Sequence, residues 1–240
     1  MDDDRMKIAS TTHPGLIRKN NEDRLLAREY TGGAVLLAVA DGLGGHEAGE
    51  RAAQMALSAL EALNVDAADM DEQLVSLVCL INQDILAAAT RKPALINMGT
   101  TLTASLVRSG TAHWVHVGDS RLYLFREGIL LQITEDHTPL GILIRGGEIT
   151  KEEARRHPLH NLLISCLGRE KYEVDSGTLK LGTTDLLLFT TDGLHDGIPE
   201  EKFISLLKAN VSLEAKLDGL VEAALTAGGR DNITVVAVEI

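Results

Sequence analysis

Ala34-Val35-Leu36-Leu37-Ala38-Val39-Ala40-Asp41-Gly42 is an aliphatic run that stops abruptly on a carboxylate and a glycine. A continuous apolar run of this length reads as a strand covered on both faces, and Asp-Gly reads as the turn that ends it. Ala, Met and Leu then recur at helical spacing over Glu47 to Leu63 and again over Asp71 to Ala89. Four short strands are expected at Thr101 to Val107, His113 to Val117, Arg121 to Phe125 and Ile129 to Ile133. The turn signals between them are Ser109-Gly110, Gly118-Asp119-Ser120 and Glu127-Gly128. Turns this short join antiparallel neighbours, because a parallel return needs a long crossover. Arg24 to Ala27, Asp185 to Thr190 and Thr234 to Ile240 add strands, while Glu200 to Ala209 and Leu213 to Ala227 read as helices. Thr138 to Gly168 is the least regular stretch, with a short helix expected at Lys151 to His157. Hairpins and helical pairs in one chain predict an α+β fold of antiparallel sheets covered by helices.

Composition sets the outer limits. The chain has 240 residues, 45% hydrophobic and 24% charged, with no repeat and no linker-like segment, which reads as one globular domain. A net charge of −12 argues against nucleic acid or an anionic membrane as a general partner. Aromatics at 3% argue against base-stacking platforms. Cys79 and Cys166 are too few for a disulfide framework, lie in apolar runs and are expected to be buried free thiols. The acidic start reads as no secretory signal, and no uninterrupted apolar window approaches the ~18 residues of a membrane span, so a cytoplasmic protein is expected.

The informative acids sit at strand ends. Asp41 follows the run just quoted, Asp119 follows His113 to Gly118, and Asp192 follows LLLFTT and precedes Gly193. Asp231 stands just before the last strand, and Glu22-Asp23 just before Arg24. Any single Asp-Gly pair is adequately explained as a turn or a cap. Five such places are harder to explain that way, and carboxylates gathered at converging strand ends repel one another unless a cation joins them. An all-oxygen set without a His or Cys cluster suits a hard ion, Mg²⁺ or Mn²⁺. Arg18 adds a permanently charged fork of the kind that grips phosphate.

Taken in order, Arg18-x-x-Asn21-Glu22-Asp23, Asp41-Gly42-x-Gly44-Gly45-His46, Gly99-Thr100-Thr101, Val117-Gly118-Asp119-Ser120-Arg121, Asp136-His137, Thr191-Asp192-Gly193 and Arg230-Asp231-Asn232-Ile233-Thr234 resemble the metal-dependent (PPM-type, type 2C) serine/threonine protein phosphatases, in their compact bacterial form. The resemblance spans about Thr11 to Val238. It implies a four-layer αββα sandwich, two central antiparallel sheets flanked by helix pairs. It also implies a single domain over residues 1–240, with its core at about 11–238 and a mobile flap at about 138–168. In the pattern so implied, Asp41 bridges two Mn²⁺ or Mg²⁺ ions, the Gly42 carbonyl ligates one, and Asp192 and Asp231 hold the first. Asp23 and Glu22 act on the other side, largely through waters, with Asn232 behind them. Asp119 joins Asp192 at a third, weaker site, and Arg18 holds the substrate phosphate. The implied reaction is hydrolysis of phosphoserine and phosphothreonine on proteins by a two-metal-activated hydroxide, without a covalent enzyme intermediate, opposing a bacterial Ser/Thr kinase. A monomer acting on phosphoproteins is expected. Two departures matter: Leu43 stands where many eukaryotic members carry a candidate acid histidine, and Ile164-Ser165 stands where bacterial relatives often carry Thr-Arg.

Rival readings are weaker. Gly42-x-Gly44 follows a strand, as a dinucleotide loop requires, but Glu47 occupies the third glycine position and Asp41 heads the turn, so pyrophosphate would be repelled. No Walker phosphate loop is present. The alternative within the same fold is a catalytically inactive regulatory or binding module, which the retained acids disfavour. His113 and His116 face opposite sides of a strand and lack a carboxylate partner nearby in sequence; they and the His157/His160 pair read as structural. So do Asp136 and His137, whereas His46 reads as a helix-start residue.

Overall fold

The structure, a computed structural model, describes residues 6–45, 47–155, 157–159 and 162–240. His46, His160 and Asn161 therefore lie outside the described residues, as does the acidic start of the chain. In chain order, strands β1 (Lys7–His13), β2 (Arg24–Glu29), β3 (Val35–Ala40) and β4 (Gly42–Leu43) precede helices α1 (Glu47–Leu60) and α2 (Met70–Arg91). Strands β5 (Gly99–Thr100), β6 (Leu102–Arg108), β7 (Thr111–Val117), β8 (Arg121–Arg126) and β9 (Ile129–Gln132) lead to helices α3 (Pro139–Arg145) and α4 (Lys151–Arg155). Then come β10 (Asp175–Lys180), β11 (Leu186–Thr190), α5 (Asp192–His195), α6 (Glu200–Leu207), α7 (Leu213–Thr226) and β12 (Ile233–Glu239).

Two five-stranded sheets result, ordered β1-β12-β11-β8-β9 and β10-β7-β6-β3-β2, and every pairing in them is antiparallel. Strand β3 shows how one sequence run specifies the layers. Val35, Leu37 and Val39 pack between the sheets with Leu122, Leu187, Phe189 and Val236. Leu36, Ala38 and Ala40 face the other way, onto Ala52, Ala56, Leu60, Leu74 and Ile81 of α1 and α2. The outer face of the other sheet, through Leu186, Leu188, Val235 and Ala237, packs on α5, α6 and α7. Three apolar seams between four layers give the expected αββα sandwich.

The strand and helix expectations hold with shifted ends. Strands β1 and β10 were not expected. Both are edge strands, and their half-exposed residues dilute the apolar signal. Strand β1 also starts the ordered sheet upstream of residue 11, paired with β12 from Lys7↔Glu239. Helix α2 is long and apolar enough, by length and composition alone, to cross a bilayer. In the fold its Leu74, Val78, Ile81 and Ile85 are buried in the core instead. Both cysteines are free, but only Cys166 is buried, since Cys79 is half-exposed. His113 corrects a second expectation, because its Nδ1 lies 2.8 Å from Asp71 Oδ1 on α2, a carboxylate distant in sequence.

Candidate active site

Asp41 leaves β3 at one end of the inter-sheet seam, and its backbone is fixed from three directions. Its N–H donates to Thr101 Oγ1 (2.9 Å), while its carbonyl accepts from Thr101 N (2.9 Å) and Thr100 Oγ1 (2.8 Å). That accounts for Gly99-Thr100-Thr101: β5 pairs with β4, placing Thr100 opposite Gly42. Thr101 Oγ1 also meets Ser120 Oγ at 2.8 Å, so the Asp41 and Asp119 turns share one hydroxyl relay. Gly118 turns at φ +114° against Thr101, where a Cβ would collide with its side chain.

Helix α1 lies on the Asp41 turn at a glycine contact. A Cβ on Gly42 would overlap the Gly49 backbone, and a Cβ on Gly49 would overlap Glu22 Oε2 and the Gly42 backbone. Gly49 was not singled out from the sequence. Its signal, a glycine in the first turn of a helix just after Asp-Gly, is too common to be read alone.

Asp23, Asp192 and Asp231 meet where β2, β11 and β12 converge. Asp23 Oδ2 accepts from Thr191 Oγ1 (2.8 Å) and Thr234 Oγ1 (2.6 Å), which staples β2 to the two central strands of the other sheet. Asn232 clamps the preceding loop. Its Nδ2 donates to Pro14 O and Asn20 O (2.9 Å each), and its Oδ1 accepts from Glu22 N (2.8 Å). Arg18 rides on that loop, more than half exposed, with Nη2 donating to Asp231 Oδ2 at 2.7 Å. The ion pair that was the plain alternative for Arg18 is thus present, but its partner is one of the strand-end carboxylates.

The electrostatics show these acids to be one group. Burial pushes the Asp41 carboxyl well above its ordinary range, and Asp23, Asp192, Asp119 and Asp231 push the same way. Asp192 is raised likewise, by burial first and then by Asp119, Asp231, Asp196 and Asp23. Asp23 is lifted by burial to about 6 against its two hydroxyl donors, and Asp119 by burial to about 7, with Asp136 and Asp196 adding. Asp196, like Gly49, was missed from the sequence; it follows Asp192 by one helical turn across α5 and so shares its face. His137, expected to be structural, braces this region: its Nδ1 accepts from Gly118 N at 3.1 Å.

Two observations test whether cations fit. Asp23 Oδ1 and Asp192 Oδ1 are buried without a hydrogen-bond partner among the described residues, a costly arrangement for a carboxylate unless something positive binds there. The available donors are all oxygens, which suits Mg²⁺ or Mn²⁺. Among the described residues no three His, Cys, Asp or Glu side chains close on one point. Ions that keep several waters and accept a backbone carbonyl do not require such closure. The donor set fits.

With two antiparallel sheets between helix pairs and acids gathered at their strand ends, the chain belongs to the protein phosphatase 2C family, whose pattern it matches over residues 18–226. It is similar to the serine/threonine phosphatase stp of Listeria welshimeri, 39% identical over 95% of this chain and 93% of that one. Among solved structures it resembles the S. agalactiae serine/threonine phosphatase, with 31% identity, TM-score 0.90, and coverage of 98% of this chain and 99% of that one. The catalytic domain of the serine/threonine protein phosphatase PstP, solved with two manganese ions, matches at 38% identity and TM-score 0.86 over 98% of this chain and 97% of that one.

Proposed function

We propose that this chain is a metal-dependent protein serine/threonine phosphatase that removes phosphate from phosphoserine and phosphothreonine in proteins. The observation that carries the reading is the group of mutually repelling carboxylates at the strand ends, two of them with buried, unpartnered oxygens, with the Arg18 guanidinium beside them. Asp41, the Gly42 carbonyl, Asp192 and Asp231 would hold the ions, with Asp23 and Glu22 on the other side, Asn232 behind them, and Asp119 with Asp192 at a further position. Bound there, Mn²⁺ or Mg²⁺ supplies a nucleophile from water near neutral pH and offsets phosphoryl charge.

The chain's own residues supply positioning and charge. Arg18 exchanges its Asp231 partner for a substrate phosphoryl group, presenting two parallel N–H donors to the equatorial oxygens. Asn232 fixes the loop that carries Arg18, so the fork is oriented before substrate arrives. Asp23, held by two hydroxyls, keeps the two sheets in register beneath the site. Leu43 has no proton to give the departing alkoxide, so this chain does not use that position as general acid.

We further infer a cytoplasmic monomer, one folding domain, acting on the products of a Ser/Thr kinase. The direct test is phosphate release from a phosphothreonine peptide with Mn²⁺, with EDTA, and with Asp192→Ala. Equal release in EDTA, or full activity in the variant, would sink the mechanism.

A further inference from the structure

The turn that carries Asp119 is held on both flanks by one dipeptide, Asp136-His137. On the far side, Arg121 Nε and Nη2 donate to the two Asp136 carboxylate oxygens at 2.8 and 2.5 Å, and both side chains are mostly buried. On the near side, the His137 N–H donates to the Gly118 carbonyl at 2.8 Å, and His137 Nδ1 accepts from the Gly118 N–H at 3.1 Å. The Gly118 N–H belongs to the peptide plane entering that glycine, and its carbonyl to the plane leading into Asp119. His137 therefore holds both planes of a glycine at φ +114°, where the backbone would otherwise have the most freedom.

The ring itself is fixed by chemistry and by packing. A backbone N–H only donates, so Nδ1 carries no proton and the neutral ring carries its proton on Nε2. That Nε2–H faces Asp175 Oδ2, 3.2 Å away at the start of β10. The His137 ring packs on His116 with centroids 4.8 Å apart, and His116 Nε2 donates to the Glu135 carbonyl at 3.0 Å. Each histidine thus bonds the backbone beside the other. The irregular segment that begins at Thr138 returns to the same place, since the Ile164 N–H donates to the His137 carbonyl at 2.9 Å. A histidine that merely filled the core would need only its own nitrogens satisfied. This one spends backbone and ring together on the residue that precedes a carboxylate of the site.

We propose that His137 is a positioning residue for Asp119: by holding Gly118 through backbone and ring, it sets where the Asp119 carboxylate meets a cation. The inference rests on the metal-dependent phosphatase reading and deepens it by naming what orients one of the proposed donors. Groups that orient a metal donor from behind govern affinity nearly as strongly as the donor does.

The experiment measures Mn²⁺ binding to the full chain, by electron paramagnetic resonance of the free ion, and needs no turnover. Asp119→Ala identifies the ion that Asp119 holds as the one whose binding it weakens. His137→Gln keeps an amide donor toward Asp175 but withdraws the Nδ1 acceptor, and affinity for that ion should fall about 10- to 100-fold with the other ions unchanged. In His137→Asn, Oδ1 stands one bond from Cγ as Nδ1 does, so most of the loss should be recovered. On an Asp119→Ala background the Gln substitution should cost nothing further, because a residue that acts through Asp119 has nothing left to orient. Should the Gln variant not fold, Asp175→Ala, at a half-exposed position, removes the acceptor that holds the tautomer and should weaken the same ion alone. Wild-type binding in Asp119→Ala, His137→Gln or Asp175→Ala would overturn the proposal. So would equal loss across all ions, an Asn variant as damaged as the Gln variant, or additive losses in the double variant. The phosphatase reading is judged apart, by phosphate release from a phosphothreonine peptide with wild type and Mn²⁺, and no release would sink that reading whatever the ion binding shows.

Discussion

Asp192 and Asp23 each bury one carboxylate oxygen with no partner among the described residues, whereas Arg18 is paired with Asp231. The two situations predict different phenotypes. Asp192→Ala or Asp41→Ala should abolish Mn²⁺-dependent turnover, because each removes a donor no neighbour replaces. Arg18→Ala should chiefly raise KM, by about 10- to 100-fold for a charge-assisted pair of ~1.5–3 kcal/mol. An Arg18→Ala enzyme with unchanged KM would contradict a phosphate-holding role. The raised carboxyls carry a pH prediction with a definite sign. Groups lifted to about 6 (Asp23) and about 7 (Asp119), and further for Asp41 and Asp192, hold protons in the metal-free fold that a cation must displace. The thermal shift produced by Mn²⁺ should therefore grow from pH 5 to pH 8. His116, buried and lowered to about 4, affects the metal-free and metal-bound forms alike and drops out of that difference. A shift that is constant or shrinks over this window would contradict the ligand set.

Helix α1 and the Asn232 loop show how elements deliver those residues. Gly49 lets α1 approach the Asp41-Gly42 turn to backbone contact, so Gly49→Ala should force the helix outward. The expected cost is ~1–3 kcal/mol of stability together with weaker Mn²⁺ binding, read by thermal melting and metal titration. Normal Mn²⁺ affinity in a folded Gly49→Ala protein would show that α1 does not position the Gly42 carbonyl. At this scale the sequence was readable where an element is buried and opaque where it is exposed. Strand β3 could be assigned from its aliphatic run, since burial on both faces leaves no room for polar residues. Edge strand β10, Asp-Ser-Gly-Thr-Leu-Lys, alternates half-buried and exposed and carries no such signal.

At the scale of the whole molecule, the seam between the sheets links everything. Phe189 and Leu122 are fully buried there, and Phe189→Ala should cost ~3–5 kcal/mol and lower the melting temperature of the entire chain. A single cooperative transition, lowered as one, is the result expected of one domain, whereas two transitions of which only one moves would divide it. The same seam explains the site. The Asp41 turn comes from the end of one sheet and Asp192 and Asp231 from the other, so the carboxylates meet only because the sheets are stacked.

The sequence by itself determined antiparallel strands covered by helices, the strand-end acids and their order, because apolar periodicity and turn chemistry are local properties; the four-layer stacking was an implication of the family resemblance. Contacts between distant segments were decided by packing. The stapling of Asp23 by Thr191 and Thr234, the seat of α1 on Gly49, the approach of Asp196 to Asp119 and the pairing of Arg18 with Asp231 belong to that second class. Each joins residues whose separation along the chain carries no pattern, and each exists because close-packed sheets fix which loops share a corner.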